Sequence, residues 1–209
     1  SRPQERGRSV LVAETSGGTI EDVADAASNV RSRVHEYGGR AYGLADGRVA
    51  YCEFPDQRLY VQRAGSAPRA LTPDGYRYAD FAAASDGRTF FAVREDHSAP
   101  GDPVNAVVAI DVDVESAGRV LFDRSDFVAY PRPSADGRIA FIAWNHPNMP
   151  WDATTLYVAR LGADGLEDLR VIAGGPEAAA ESVIEPVWAV DGTLYFLSDR
   201  SGYWNLYRW

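Results

Sequence analysis

The 209-residue chain carries 30 acidic and 21 basic side chains, a net charge of −9, with 45% hydrophobic and 11% aromatic residues. That composition supports a packed core and sets the chain as a whole against nucleic-acid phosphates. Its one cysteine, Cys52, leaves no partner for an internal disulfide and too few thiols for a multi-cysteine zinc site.

Cys52 lies in an apolar run and reads as a buried, inert thiol, compatible with a reducing compartment, so a cytoplasmic location is expected. No apolar run approaches the roughly 20 residues that cross a bilayer, and the first residues hold no basic region leading into an apolar one. Neither a membrane span nor a targeting segment is expected. Every basic side chain is Arg and none is Lys, which reads as codon usage rather than chemistry.

In chain order, SRPQERGR reads as a loop already under way and residues 9–14 (SVLVAE) as a strand without a preceding Asp-Gly turn. The chain is therefore expected to begin inside a structural repeat. Between residues 19 and 30 the spacing of Ile20, Val23, Ala24 and Ala27 suits a short helix, but the segment lacks length and caps, so a connection fits equally well.

From there one pattern repeats. Asp-Gly pairs stand at 46–47, 86–87, 136–137 and 191–192, separated by 40, 50 and 55 residues, which are propeller-blade periods. Gly tolerates positive φ and Asp bonds its own backbone, so each pair marks a turn. Each is followed by an apolar strand, at 49–54, 89–93, 139–144 and 193–198, whose continuous apolar character implies cover on both faces. Partner strands follow at 59–61, 107–110, 156–158 and 206–207, and outer strands near Leu71, Val120 and Val171. Segments before each Asp-Gly supply innermost strands.

The predicted fold is all-β: a β-propeller of four-stranded antiparallel blades, about four present as an incomplete arc. Blade boundaries are expected near 1–30, 31–72, 73–122, 123–172 and 173–209. Because an open arc leaves both terminal blades uncovered, the chain is expected to be part of a longer protein.

Blade connectivity sorts the loops. The Asp-Gly turns and the connections between third and fourth strands fall on one face. The other receives the elaborate loops: 30–39 (VRSRVHEYGG), 94–104 (REDHSAPGDPV), 145–154 and 173–185, with all three histidines, His35, His97 and His146. Function concentrates on long loops held by a rigid scaffold, so this face is the expected site.

The stretches RSRVHEYGG, DQRLY, RYADF, VREDH, AWNHPNMPWD and LYFLSDRSGYWNLYRW together resemble the propeller of prolyl-oligopeptidase-family serine peptidases, in the dipeptidyl aminopeptidase or acylaminoacyl peptidase branch. The resemblance runs nearly end to end. Arg6, where a Gly is common, and Ala135 and Val190, where blades usually have Pro, depart from the pattern only at turns. The resemblance implies a seven-bladed propeller and a separate C-terminal α/β-hydrolase domain bearing Ser, Asp and His, absent from these residues. The nearest approach to a Gly-x-Ser-x-Gly elbow, at residues 7–11, lacks the last Gly and lies on a strand. No catalytic residue is assigned, and no cofactor or metal is expected. The carboxylate run 111–115 resembles half a calcium loop, but its sixth position is Ser116 and its twelfth Phe122, which rules against that site.

The candidate substrate-path or domain-interface residues are His35, Glu36, Arg94, Glu95, Asp96, His97, His146, Asn148, Trp151, Asp152 and Glu181. Each has a plainer reading. The charges at 94–97 can satisfy one another. Met149 and Trp151 can pack under their loop while His146 and Asp152 cap backbone groups. Glu181 can bind a free N-terminal amine or do nothing so specific. Gly38 and Gly39, after His35-Glu36-Tyr37, serve a tight backbone path better than catalysis. The expected partners are the remaining blades and hydrolase domain of the same protein and peptide substrates, with no nucleic acid or membrane and homo-oligomerisation left open. The resulting reading is a propeller that gates and orients peptides for a serine exopeptidase or oligopeptidase. The alternatives are a non-catalytic protein-binding scaffold and, with least support, a propeller carrying its own carboxylate active site.

Overall fold

The structure is a computed structural model describing residues 1–175 and 180–209. Five antiparallel sheets follow one another in chain order. The first pairs β1 (Val12–Glu14) with β2 (Ile20–Asp22). The second holds β3 (Tyr42–Ala45), β4 (Arg48–Cys52), β5 (Leu59–Arg63) and β6 (Arg69–Ala70). The third holds β7 (Tyr76–Ala83), β8 (Thr89–Asp96), β9 (Val104–Asp111) and β10 (Arg119–Phe122). β11 (Phe127–Pro133), β12 (Arg138–Trp144), β13 (Thr155–Leu161) and β14 (Leu166–Gly174) make the fourth, and β15 (Val183–Trp188), β16 (Leu194–Ser198) and β17 (Asn205–Arg208) the fifth. The fold is the expected all-β propeller of four-stranded blades. The segment with open readings, 19–30, contributes β2, and the opening strand is three residues long rather than six.

Sheets stack because their middle strands are apolar on both sides. In β12, Ile139, Phe141 and Ala143 pack toward the third sheet, whereas Ala140, Ile142 and Trp144 pack toward the fifth. β8 divides likewise: Phe90 and Ala92 face the second sheet, Phe91 and Val93 the fourth. Ile139, Phe141 and Ile142 are 0% exposed, and burying each such side chain contributes about 1.5–3 kcal/mol. A strand read as continuously apolar is one with two neighbours.

The Asp-Gly turns behave as their chemistry demands. Asp46 (φ 46°) and Gly47 (φ 66°) close a two-residue hairpin flanked by the Ala45–Arg48 pair, the twist-matched geometry for tight hairpins. Asp86 accepts the Arg88 and Thr89 amides at 2.8 Å, and Asp191 accepts the Thr193 amide at 2.9 Å.

The first strands of successive sheets lie side by side, β3 against β7, β7 against β11 and β11 against β15, forming the innermost row. Each of β7, β11 and β15 carries a register shift, at 79–82, 129–132 and 184–187, with a positive-φ residue inside it: Asp80, Tyr130 and Glu185. These bulges recur at nearly the period of the Asp-Gly turns. Asp80 connects three sheets: its Oδ1 accepts the Arg40 amide at 3.0 Å and its Oδ2 the Tyr130 amide at 3.1 Å.

Candidate functional site

The loop-bearing face holds a cavity of about 430 Å³ between the third and fourth sheets, closed from above by the segment that precedes β3. That segment turns sharply. His35 and Glu36 have φ of 52° and 66°, and the Gly38 amide donates to the Val34 carbonyl at 2.8 Å. Gly38 has φ 85°, and a Cβ there would lie 2.7 Å from the Ser32 carbonyl oxygen, so the tight path read from the sequence requires glycine at this point.

Glu95 anchors the segment. Its side chain is 3% exposed; Oε1 accepts the His35 amide at 2.6 Å and Oε2 bonds His97 Nε2 at 2.9 Å. Arg77 bridges Glu36, at 2.6 Å, and Glu95, at 3.7 Å. Asn105 Oδ1 lies 3.2 Å from His35 Nε2 and can only accept, so that nitrogen carries the proton. Burial holds the His35 pKa below its ordinary value, opposed by Glu95 and the Asn105 hydrogen bond, and the ring is neutral. The Arg77 hydrogen bond keeps the Glu36 carboxyl below the usual range.

The opposite wall is aromatic. Phe127 and Trp144 stack with centroids 5.3 Å apart, His35 meets both edge-on at 5.5 and 5.3 Å, and His146 tilts against Phe127 at 4.9 Å. Asp126 Oδ2 accepts the His146 amide at 2.8 Å and lies 3.1 Å from its Nδ1, and the amide hydrogen bond lowers the Asp126 pKa. The cavity edge thus carries Glu36, Glu95, Asp102 and Asp126, and its lining includes no Arg, Lys, serine, threonine or cysteine. The arrangement suits binding of a cation beside an apolar group.

Of the eleven candidates, His35, Glu36, Glu95 and His146 line this cavity, and His97 supports it through Glu95. The other six do not join them. Strand alternation separates neighbours in β8: Glu95 points with Phe91 and Val93 toward the cavity side, whereas Arg94 points with Phe90 and Ala92 the other way. There its guanidinium lies over Tyr76 at 4.9 Å and donates to the Ala117 carbonyl at 3.3 Å. Asp96 accepts the Ser98 amide at 2.9 Å. Asp152 accepts the Met149 amide at 2.9 Å, the plainer of its two readings, but Trp151 does not pack under the loop: it is 61% exposed. Asn148 lines a separate recess beyond Trp144. Glu181 is occupied, accepting the Gly174 amide at 3.1 Å, Ser198 Oγ at 2.6 Å and the Arg200 guanidinium at 2.8 Å. The long loop expected at 173–185 lies partly outside the described residues, at 176–179.

Sequence reasoning missed Tyr37, Asp102, Asn105, Asp126, Phe127 and Trp144. Asp126 and Phe127 lead into an innermost strand and Trp144 ends a core strand, so pattern alone assigns them to structure.

Five antiparallel sheets in series, with an acidic and aromatic cavity on the loop-bearing face, define a β-propeller portion. The chain is similar over 99% of its length to a puromycin hydrolase complexed with PGG, at 35% identity and TM-score 0.88, and to a puromycin-hydrolyzing peptidase of Mycobacterium tuberculosis, at 37% identity and TM-score 0.87. It spans 34% of the length of each. A prolyl endopeptidase at 14% identity shares the fold, with TM-score 0.67 over 95% of this chain and 30% of that one. No family model and no curated protein matches the chain. The chain therefore corresponds, in fold and at 35–37% identity, to about a third of the puromycin hydrolases it matches, and it shares its propeller fold with a prolyl endopeptidase.

Proposed function

We propose that the chain is the substrate-admitting propeller portion of a cytoplasmic serine peptidase of the prolyl oligopeptidase type, whose loop-bearing face meets a separate α/β-hydrolase domain and orients peptides for it. The observation that carries this reading is the cavity enclosed by Glu36, Glu95, Asp102 and Asp126 against Trp144 and Phe127. The Asp102 carboxylate, free of hydrogen bonds among the described residues, and the exposed Glu36 carboxylate, which is shared with Arg77, complement the ammonium of a free peptide N-terminus, and the stacked rings complement an adjacent apolar side chain. An acylated terminus carries no charge to match them. The cavity therefore favours aminopeptidase action over acylaminoacyl release, and a catalytic role over a plain scaffold.

Asp102 provides the cleanest test, because it is exposed and its side chain has no hydrogen bond or ion pair among the described residues. In the full-length protein, Asp102→Asn combined with Glu36→Gln is expected to raise KM for peptides with a free N-terminus by about fivefold to tenfold. Asp164→Asn, on the opposite face, is expected to leave KM unchanged. Equal kinetics for both proteins would show that this face does not receive the substrate.

A further inference from the structure

The wall of His35, Tyr37, Trp144 and Pro150 has a cavity on each side, and the second, of about 240 Å³, has the opposite charge character. It opens beside the innermost strands, and its ionisable lining other than His35 and Tyr37 consists of Arg40, Arg132, Asp80 and Tyr130. The Asp80 carboxylate is committed to two backbone amides, those of Arg40 and Tyr130. Among the described residues neither guanidinium has a carboxylate within ion-pair distance; Arg132 donates only to the Pro131 carbonyl, at 3.0 Å, and lies over the Tyr130 ring at 5.5 Å. Two guanidiniums without an ion-pair partner thus share one cavity with a single carboxylate that is already committed. Burial lowers the Arg132 pKa, Asp80 opposes that shift, and the like charge of Arg40 adds to it. A bound anion would relieve both costs.

We propose that Arg40 and Arg132 form a carboxylate-binding subsite that takes the free C-terminus of a short peptide whose N-terminal ammonium sits in the acidic cavity across the aromatic wall. This rests on the reading of the loop-bearing face as the substrate side, and it adds a length and end-group preference. The two cavities share four residues, so a ligand reaching both is short. Each added residue of extended peptide lengthens the ligand by about 3.3–3.6 Å, and chains that overrun the basic cavity would lose the carboxylate contact. Paired guanidiniums suit carboxylate because each presents parallel N–H donors.

The test uses the full-length protein and the tripeptide Ala-Phe-Ala as its free acid and as its C-terminal amide, with products followed by chromatography. The acid is expected to have a KM about tenfold below that of the amide, equivalent to about 1.4 kcal/mol, and the gap is expected to narrow with added salt. Arg132→Gln and, separately, the exposed Arg40→Gln are expected to raise KM for the acid toward the amide value while leaving kcat and the amide KM unchanged. Because Arg40 is exposed, its variant retains the test if Arg132→Gln misfolds. Equal KM values for acid and amide in the unmutated protein would overturn the subsite while leaving the substrate face standing. If inorganic phosphate raised KM for acid and amide alike, the cavity would belong to a free anion and the peptide assignment would fall. Hydrolysis of neither peptide would overturn the subsite together with the reading it rests on.

Discussion

Asp80→Ala is expected to loosen the innermost row of strands by about 3–5 kcal/mol, a large effect for one polar substitution. The side chain is 8% exposed and reaches from β7 to the amides of Arg40 and Tyr130, at 3.0 and 3.1 Å. Hydrogen bonds to a charged acceptor contribute about 1.5–3 kcal/mol each, and both amides would lose their protein partner. Alanine would also have to adopt φ 58°, which costs about 1–2 kcal/mol. Water entering from the adjoining 240 Å³ cavity would recover part of that loss, which keeps the total in the lower part of the range. Asp80→Asn retains one acceptor and tolerates positive φ, so about 1–3 kcal/mol is expected. The assay is native-state hydrogen exchange of the Arg40 and Tyr130 amides, supported by urea unfolding of the same proteins. Unchanged protection of both amides in Asp80→Ala, with an unfolding midpoint within error of the unmutated protein, would refute the argument that one carboxylate ties three blades together.

Gly174→Ala is expected to prevent stable folding of the fourth blade: at φ 65° the new Cβ would lie 1.9 Å from the Thr154 carbonyl oxygen, against backbone that cannot move aside. Loss of soluble protein, or an unfolding free energy lowered by several kcal/mol, checks this; an unchanged unfolding free energy would show that β14 pairs differently. The third expectation concerns pH. His35 is neutral in the fold because burial depresses its pKa, so below about pH 6.5 the unfolded chain takes up the proton first. Stability is therefore present above that pH and lost as pH falls, until the folded pKa is reached. Urea midpoints measured between pH 7.5 and 5.5 are expected to decline in the unmutated protein and to decline less in His35→Gln; identical slopes would place the acid sensitivity elsewhere.

The blades were legible in the sequence because their signals are local. Asp-Gly turns at 40-, 50- and 55-residue spacing and the unbroken apolar run of 139–144 need only neighbouring residues to define them, since turn conformation and two-sided burial are set within a few peptide units. The sorting of short turns and long loops onto opposite faces followed from strand connectivity alone, and it placed His35, Glu36, Glu95 and His146 on the face where the cavity lies. Tertiary structure decided which loop residues meet. The His35–Glu95 and His35–Asn105 contacts join positions 60 and 70 residues apart, a pairing fixed by how blades stack rather than by any local preference. It also set strand parity, which turns Glu95 inward and Arg94 away, a one-residue difference that composition cannot resolve. The bulges at Asp80, Tyr130 and Glu185 were invisible for the same reason. A tyrosine or glutamate does not choose positive φ by itself, and at Tyr130 the conformation is held where Asp80 of the neighbouring blade receives the amide that the bulge turns toward it.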